Sequence, residues 1–423
     1  MTCQLLVDIA DQRCHCVSIP WSPKQGSFHQ CVQIELYWHT MTDEAWDSLI
    51  SLVIVIWDCG ETSFDLCKPE GGAIPLPLRP VYGEVHADPL GPAAVTLYRR
   101  WLHDCASEHP ACPDTTSAPL PTRVLDVRSG SATGDVKLKC TNHERGDFIA
   151  LSYCWGGVVP LRTLSTNFAS RIERIRWHDL PRTFQDVVQL ARQLEIPYIW
   201  IDALCIIQDS AEDWATESAK MAEIYGNASI VGIAAAAPSP NTGFLGMREN
   251  HVWEQVTFGP PADERCLLLR ETCEHSANMD PGSKLAVSDR GWCLQERLMG
   301  QRTLIFRQEE VVWECRQGYR CECSSAENGY QSLPVYQNRG SVLPTPQRYP
   351  RDTSTNLFES CSQAYDFWRN AIQEYTQRLM TKATDRLPAI SALTKVIGED
   401  TGDEYIAGLW KNDILHGLLW TVH

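Results

Sequence analysis

The stretch from Phe148 to Ala237 constrains the fold more than any other part of the chain. "LPRTFQDVVQLARQLEI" (180–196) sets Phe184, Val187, Val188, Ala191 and Leu194 at helical spacing. Thr183 is its expected N-cap, with Asp186 three residues on. "PYIWIDALCII" (197–207) is a near-continuous apolar run rich in Ile, expected as a strand buried on both faces. "SAEDWATESAKMAEIYGN" (210–227) is expected as a helix capped by Ser210, with acids in its first turn. "ASIVGIAAAA" (228–237) is a further buried strand, and "FIALSYCW" (148–155) precedes the series as another. Strand, helix, strand, helix, strand is the pattern of a parallel α/β sheet, because parallel strands need crossover helices.

The flanks are organised differently. Residues 1–92 are expected to form an irregular N-terminal arm, with Pro and Gly crowding "CKPEGGAIPLPLRPVYGEVHADPLGP". Within the arm, "SLISLVIVIW" (48–57) is too short to span a bilayer and is expected as a buried strand. Residues 93–144 read as a helix ("AAVTLYRRWLHDC") and strands ("LPTRVLDV", "GDVKLKC") leading into an α/β core over 145–316. In that core Arg290–Met299 opens a helix, and "RTLIFRQEEVVWECR" reads as a hairpin. Residues 317–357 are expected as a surface insertion and 358–423 as a mainly helical C-terminal region.

Charge and cysteine usage narrow the function classes. The formal net charge of −16 over 423 residues argues against general binding to nucleic acid or to an anionic membrane. The N-terminus lacks a basic segment ahead of an apolar run, so no secretory leader is expected and the cytoplasm is the expected compartment. In that compartment the 18 cysteines are expected as reduced thiols. Two groups invite a zinc reading: Cys315, Cys321 and Cys323, and Cys105 and Cys112 with His103 and His109. Cys315, Cys321 and Cys323 lack paired knuckles and a fourth ligand, and the second group forms a similar cluster, so no metal site is expected and no resident cofactor.

Three blocks carry a family resemblance. "FIALSYCWGG", "YIWIDALCIIQDSAEDWATESAKMAEIYGNASIVGIAAAA" and "SDRGWCLQERLMGQRTLIFRQEEVVWECR" resemble, in this order, the heterokaryon-incompatibility (HET) domain of filamentous fungi. The resemblance implies a role in fungal non-self recognition and programmed cell death, with a protein recognition partner that the sequence does not identify. A weaker resemblance concerns mechanism. "FIALSYCWG" is similar to the first strand of Toll/interleukin-1-receptor (TIR) domains, and "WCLQERL" to the TIR segment in which NAD-cleaving members keep a catalytic glutamate. The implied fold is a TIR-like, flavodoxin-like central parallel sheet with flanking helices. The implied substrate is NAD or a related nucleotide, acted on by a homo-oligomer, and the implied catalytic residue is Glu296. Arg297 departs from the TIR pattern, which has an apolar residue there.

The residues themselves frame the alternatives. Trp292 and Glu296 are i and i+4 on one helix face, while Leu294 and Leu298 share another and are expected in the core. A fixed carboxylate near a ribose would stabilise the positive charge that builds as nicotinamide leaves, and an indole could stack the base. The structural alternative is an ion pair of Glu296 with Arg290, Arg297 or Arg302. Asp202 and Trp214 are candidates to line a ligand site, since ligands of open α/β sheets bind beyond the strands' carboxyl ends. Ser152, Tyr153, Trp155 and Gly156 end the first core strand and are candidates for the same site, or else form a tight turn packed under Trp155. The apolar neighbours of Cys205 mark an inert core thiol. The family resemblance leaves two further functions open: a non-enzymatic, self-associating adaptor, and an accessory protein of a secondary-metabolite gene cluster.

Overall fold

The structure is a computed structural model. It describes residues 85–109, 112, 117–128, 133–157, 161–248, 287–315, 318–322 and 361–419, and the backbone of strands at 17–19, 32–39, 49–56, 60–67, 254–258 and 265–271. The chain divides into two compact units. One comprises Met1–Ala87, Arg248–His275 and Cys321–Gly329; the other comprises Asp88–Met247, Ser276–Arg320 and Tyr330–His423.

The first unit contains strands within the stretch 1–92 that the sequence reads as an irregular arm. β1 (Val17–Ile19), β2 (Val32–His39), β3 (Leu49–Ile56) and β4 (Gly60–Cys67) join β10 (Glu254–Phe258) and β11 (Arg265–Glu271) in one sheet, in the order β1-β2-β3-β4-β11-β10. All neighbours run antiparallel. The cause is the composition of the runs: "VQIELYWH" and "LISLVIVI" are rich in β-branched and aromatic residues, and they pair from Val32↔Ile56 to His39↔Leu49. The Pro- and Gly-rich run at 68–84 lies outside the described residues.

The second unit holds the expected α/β core. Its strands are β5 (Arg123–Asp126), β6 (Lys137–Cys140), β7 (Phe148–Ser152), β8 (Tyr198–Trp200), β9 (Ile230–Ile233), β12 (Arg302–Phe306), β13 (Val311–Cys315) and β14 (Gly318–Cys321). They form an eight-stranded sheet in the order β14-β13-β12-β9-β7-β8-β5-β6. The four central strands, β12, β9, β7 and β8, are parallel. Antiparallel pairings extend them at both sides, β12 with β13 and β8 with β5. Taken in chain order, the parallel strands lie 2-1-3-4 across the sheet, the flavodoxin-like arrangement, whose switch point falls between β7 and β9. Phe148, Ile149, Ile199, Trp200, Ile230 and Val231 are fully buried, as strands covered on both faces require.

Local chemistry shortens several expected elements. The apolar run 197–207 is a strand for three residues and then a helical turn, Asp202–Cys205. Asp202 causes the change: its Oδ1 accepts the Ala203 N–H at 2.6 Å, an alternative to the ladder. The expected helix over 210–227 is two helices, Ala211–Ala219 and Met221–Asn227. Ser210 caps the first as expected, accepting from the Asp213 N–H at 3.2 Å. Thr183 is not the cap of its helix, which begins at Arg182 after Pro181. Asp186 instead accepts the N–H groups of Phe244 and Leu245 at 2.7 and 3.1 Å.

The expected helical C-terminal region is present as Cys361–Thr376 and Pro388–Thr401. It packs on the Gly291–Met299 helix and fixes its start. Gly291 N–H donates to Leu379 O at 3.1 Å, and the Arg378 guanidinium donates to the Arg290 carbonyl at 3.2 Å. A side chain at Gly291 would require Met380 to move, since a Cβ there would meet Met380 Sδ. Of the expected insertion at 317–357, Gly318–Cys321 is a strand and 323–357 lies outside the described residues. Among the described residues, no helix is long and apolar enough to cross a membrane.

Candidate functional site

Three segments converge where the parallel strands end. β7 delivers Ser152 and, just past it, Tyr153 and Trp155. β8 delivers Asp202, and the helix Gly291–Met299 brings Arg290, Cys293 and Glu296. Trp155 Nε1 donates to Asp202 Oδ2 at 3.1 Å, tying the first strand end to the second. Arg290 donates to the Tyr153 carbonyl at 2.7 Å, tying the helix to the first strand end. Behind them, the Tyr153 ring stands edge-on to Phe184 at 5.2 Å, and Tyr225 donates to the Leu151 carbonyl at 3.1 Å. These contacts fix the cluster on regular elements, beside the switch point of the sheet.

The cluster is under-satisfied. Ser152 Oγ, Tyr153 Oη and Glu296 Oε2 are buried and have no hydrogen-bond partner. Ser152 and Cys293 lie close enough to favour the Glu296 carboxylate electrostatically, but neither meets Oε2 in hydrogen-bonding geometry. Burial dominates. It raises the Glu296 pKa from its ordinary 4.5 to about 7, against the lowering effect of Ser152 and Arg290. The neighbouring Asp202 charge adds to the rise. Burial also raises Asp202, opposed by Arg290. Tyr153 is held well above its ordinary value by burial and by Asp202, so it stays a neutral phenol. Burial opposes the Arg290 charge, yet Cys293, Glu296 and Asp202 together hold it firmly protonated.

The alternative of an ion pair between Glu296 and Arg290, Arg297 or Arg302 does not form among the described residues. Arg297 pairs with Glu314 at 2.5 and 3.0 Å, and Arg302 donates to Cys105 Sγ at 3.2 Å. Residues 148–296 match the family model for heterokaryon incompatibility protein (HET). The chain carries a HET domain. That domain implies a role in heterokaryon incompatibility and cell death. Neither the curated proteins nor the solved structures contain a match to the chain.

Within the HET domain, Ser152, Tyr153, Trp155, Asp202 and Glu296 lie close together. Gly156 does not open a ligand cradle. It adopts φ +61°, and a Cβ there would sit 2.4 Å from the Pro238 carbonyl, so its freedom serves a close approach of the chain to itself. Trp214 is 37% exposed, and no contact among the described residues joins it to Asp202 or Glu296. The Gly291–Met299 helix is buried at every position but Trp292. Leu294 and Leu298 pack in the core as expected, but Gln295 also turns inward, accepting the Ala392 N–H at 3.1 Å.

Sequence reasoning named Arg290 only as a possible ion-pair partner of Glu296 and missed its hydrogen bond to the first strand end. The signal was its place one residue before the helix, where a guanidinium can reach back to the strand end. Cys205 is an inert thiol, with burial raising its pKa to about 12, and the Cys293 thiol rises to about 12 through burial and the Glu296 charge. Residues with metal-ligating chemistry gather elsewhere in the unit, at Cys105, His109, Cys112 and Cys315.

Proposed function

We propose that this chain is an effector of fungal non-self recognition and programmed cell death whose HET domain hydrolyses NAD to ADP-ribose and nicotinamide. The observation that carries the proposal is Glu296. Its Oε2 is buried without a partner beside Ser152 Oγ, itself unpartnered, beyond the carboxyl ends of parallel strands. Buried polar atoms are ordinarily satisfied, and perturbed carboxyls cluster where chemistry is done. In the reaction, water adds to the ribose carbon as its bond to the pyridinium nitrogen breaks. The electron pair returns to nicotinamide, and the proton of water is released. The ionised Glu296 carboxylate offsets the positive charge on the ribose as that bond stretches. Arg290 and the Trp155–Asp202 pair hold the strand ends around it. With Glu296 titrating near 7, the rate rises with pH through that region.

The test is purified protein, alone and artificially oligomerised, incubated with NAD and assayed for nicotinamide. Glu296→Gln is expected to lower release by about 10³-fold, the usual cost of losing one charge-stabilising group, while the fold persists. Equal nicotinamide release and equal cell killing by the variant overturn the proposal.

A second reading is favoured by one observation, the burial of the whole helix apart from Trp292. It is a non-enzymatic adaptor that signals by self-association. Under it Glu296→Gln kills as well as wild type, no nicotinamide forms, and Trp292→Ala weakens self-association.

A further inference from the structure

The fold brings Cys315, from one of the two groups that the sequence singles out, to Cys105, His109 and Cys112 of the other. Cys105 and His109 are i and i+4 on the helix Pro92–Glu108 and its cap, so they share a face. The Cys112 N–H donates to the His109 carbonyl at 2.9 Å, a turn that folds the third residue back over the helix end. Cys315 ends β13 and supplies the fourth, 206 residues from His109. All four are buried, and their ligand atoms lie within 4.8 Å of one another. The His109 Nδ1 atom is 3.6 Å from Cys315 Sγ and 4.0 Å from Cys112 Sγ. A tetrahedron with Zn–S of about 2.3 Å and Zn–N of about 2.0–2.1 Å has edges of about 3.5–3.8 Å. The cluster is therefore close to that size before any ion draws it in.

We infer that Cys105, His109, Cys112 and Cys315 form a structural zinc site of the Cys3His type. Three thiols lose their protons to bind the ion, and a neutral imidazole completes the shell through Nδ1. Three thiolates and one Zn²⁺ leave a net charge of −1. The Arg302 guanidinium offsets it, donating from Nε to Cys105 Sγ at 3.2 Å. Arg302 also stands directly opposite Cys315 in the β12–β13 ladder, so one residue braces two ligands. Sulfur-rich tetrahedral sites select zinc over the hard cations, and with four protein ligands there is no open position for catalysis. Cys105, His109 and Cys112 precede the matched segment 148–296 and Cys315 follows it. The site thus pins the helix ahead of the HET match to the hairpin behind it, independently of any reaction at Glu296.

The experiment is elemental analysis of the full-length chain, purified from zinc-supplemented cells and desalted. About one zinc per chain is expected in wild type and in Cys140→Ser, a control at an exposed cysteine. Cys112→Ser and His109→Ala are expected to lose it. Because such variants can fail to fold, wild type is also loaded with Co²⁺. The expected spectrum combines thiolate-to-cobalt charge transfer with the d–d bands of a tetrahedral ion, and Zn²⁺ abolishes it. A wild-type chain without zinc overturns the site. So does a disulfide between two of the three cysteines, or a Co²⁺ spectrum that survives in Cys112→Ser.

Discussion

Two buried polar regions meet on the Gly291–Met299 helix, and adjacent residues serve them. Arg297 reaches β13, where Glu314 receives it with two hydrogen bonds at 2.5 and 3.0 Å. Glu296 points to the ends of β7 and β8, where its Oε2 meets no donor. Both carboxylates have left water, and the desolvation cost is the same in kind. At Glu314 a fork-shaped guanidinium offsets it. At Glu296, Ser152 and Arg290 offset it only in part, and the group responds by holding its proton to about pH 7. The first arrangement gives its charge a bidentate partner; the second keeps a carboxyl poised between its charged and neutral forms.

The sharpest way to break this comparison is to remove the satisfied partner. Glu314→Gln leaves the Arg297 charge without its carboxylate, in a pair whose side chains are 10% and 8% exposed. Breaking a buried pair of this kind costs about 3–5 kcal/mol, read as a lower midpoint in urea with unchanged slope. Glu296→Gln, by contrast, is expected to leave stability at pH 8 equal or higher. If both substitutions destabilise alike, the two regions are not different in kind.

The pH dependence sharpens the same contrast. Between about pH 4.5 and 7 the unfolded chain has ionised Glu296 while the folded chain still holds its proton. The folded state binds more protons, so this group's contribution falls as pH rises through that window. The loss approaches about 3 kcal/mol above pH 7, at 1.36 kcal/mol for each pKa unit. Urea titrations of wild type and Glu296→Gln at pH 5 and pH 8 measure it. The wild-type difference should shrink in the variant, and an unchanged difference would show that Glu296 does not carry it.

How far the sequence led can be judged on the same residues. The helix over 182–193, the buried strands and the 302–315 hairpin were legible because their periodicities are local and strong. Sheet logic singles out Ser152, Tyr153 and Asp202, since strand ends of a doubly wound sheet face one crevice, whereas Glu296 lies on a helix and is singled out by the family resemblance alone. The early end of β8 was not legible, because an apolar run cannot by itself distinguish a strand from a strand followed by a buried turn. Nor was the first unit's sheet, whose β4 pairs with β11, from Phe64↔Glu271 to Cys67↔Leu268. Pairing over such a separation leaves no local trace. The Cys3His cluster fails for the same reason, since its fourth ligand comes from a distant strand.

The finest test of the Glu296 region lies at its rim. Trp155 Nε1 gives Asp202 Oδ2 a hydrogen bond of 3.1 Å, one of the contacts that hold the ends of β7 and β8 together. Trp155→Phe keeps an aromatic ring and removes that donor. The stability cost should be about 1.5 kcal/mol, the low end of the net worth of one hydrogen bond to a charged group. Asp202, which burial already pushes up, loses a contact that favours its charge, so its pKa should rise further, as carboxyl NMR shifts would show. A neutralised Asp202 no longer raises Glu296, so the Glu296 titration should move down while its neighbour moves up. Opposite shifts of the two carboxyls would establish that they share one electrostatic site. A change in stability with neither carboxyl moving would make Trp155 a packing residue and separate Asp202 from Glu296.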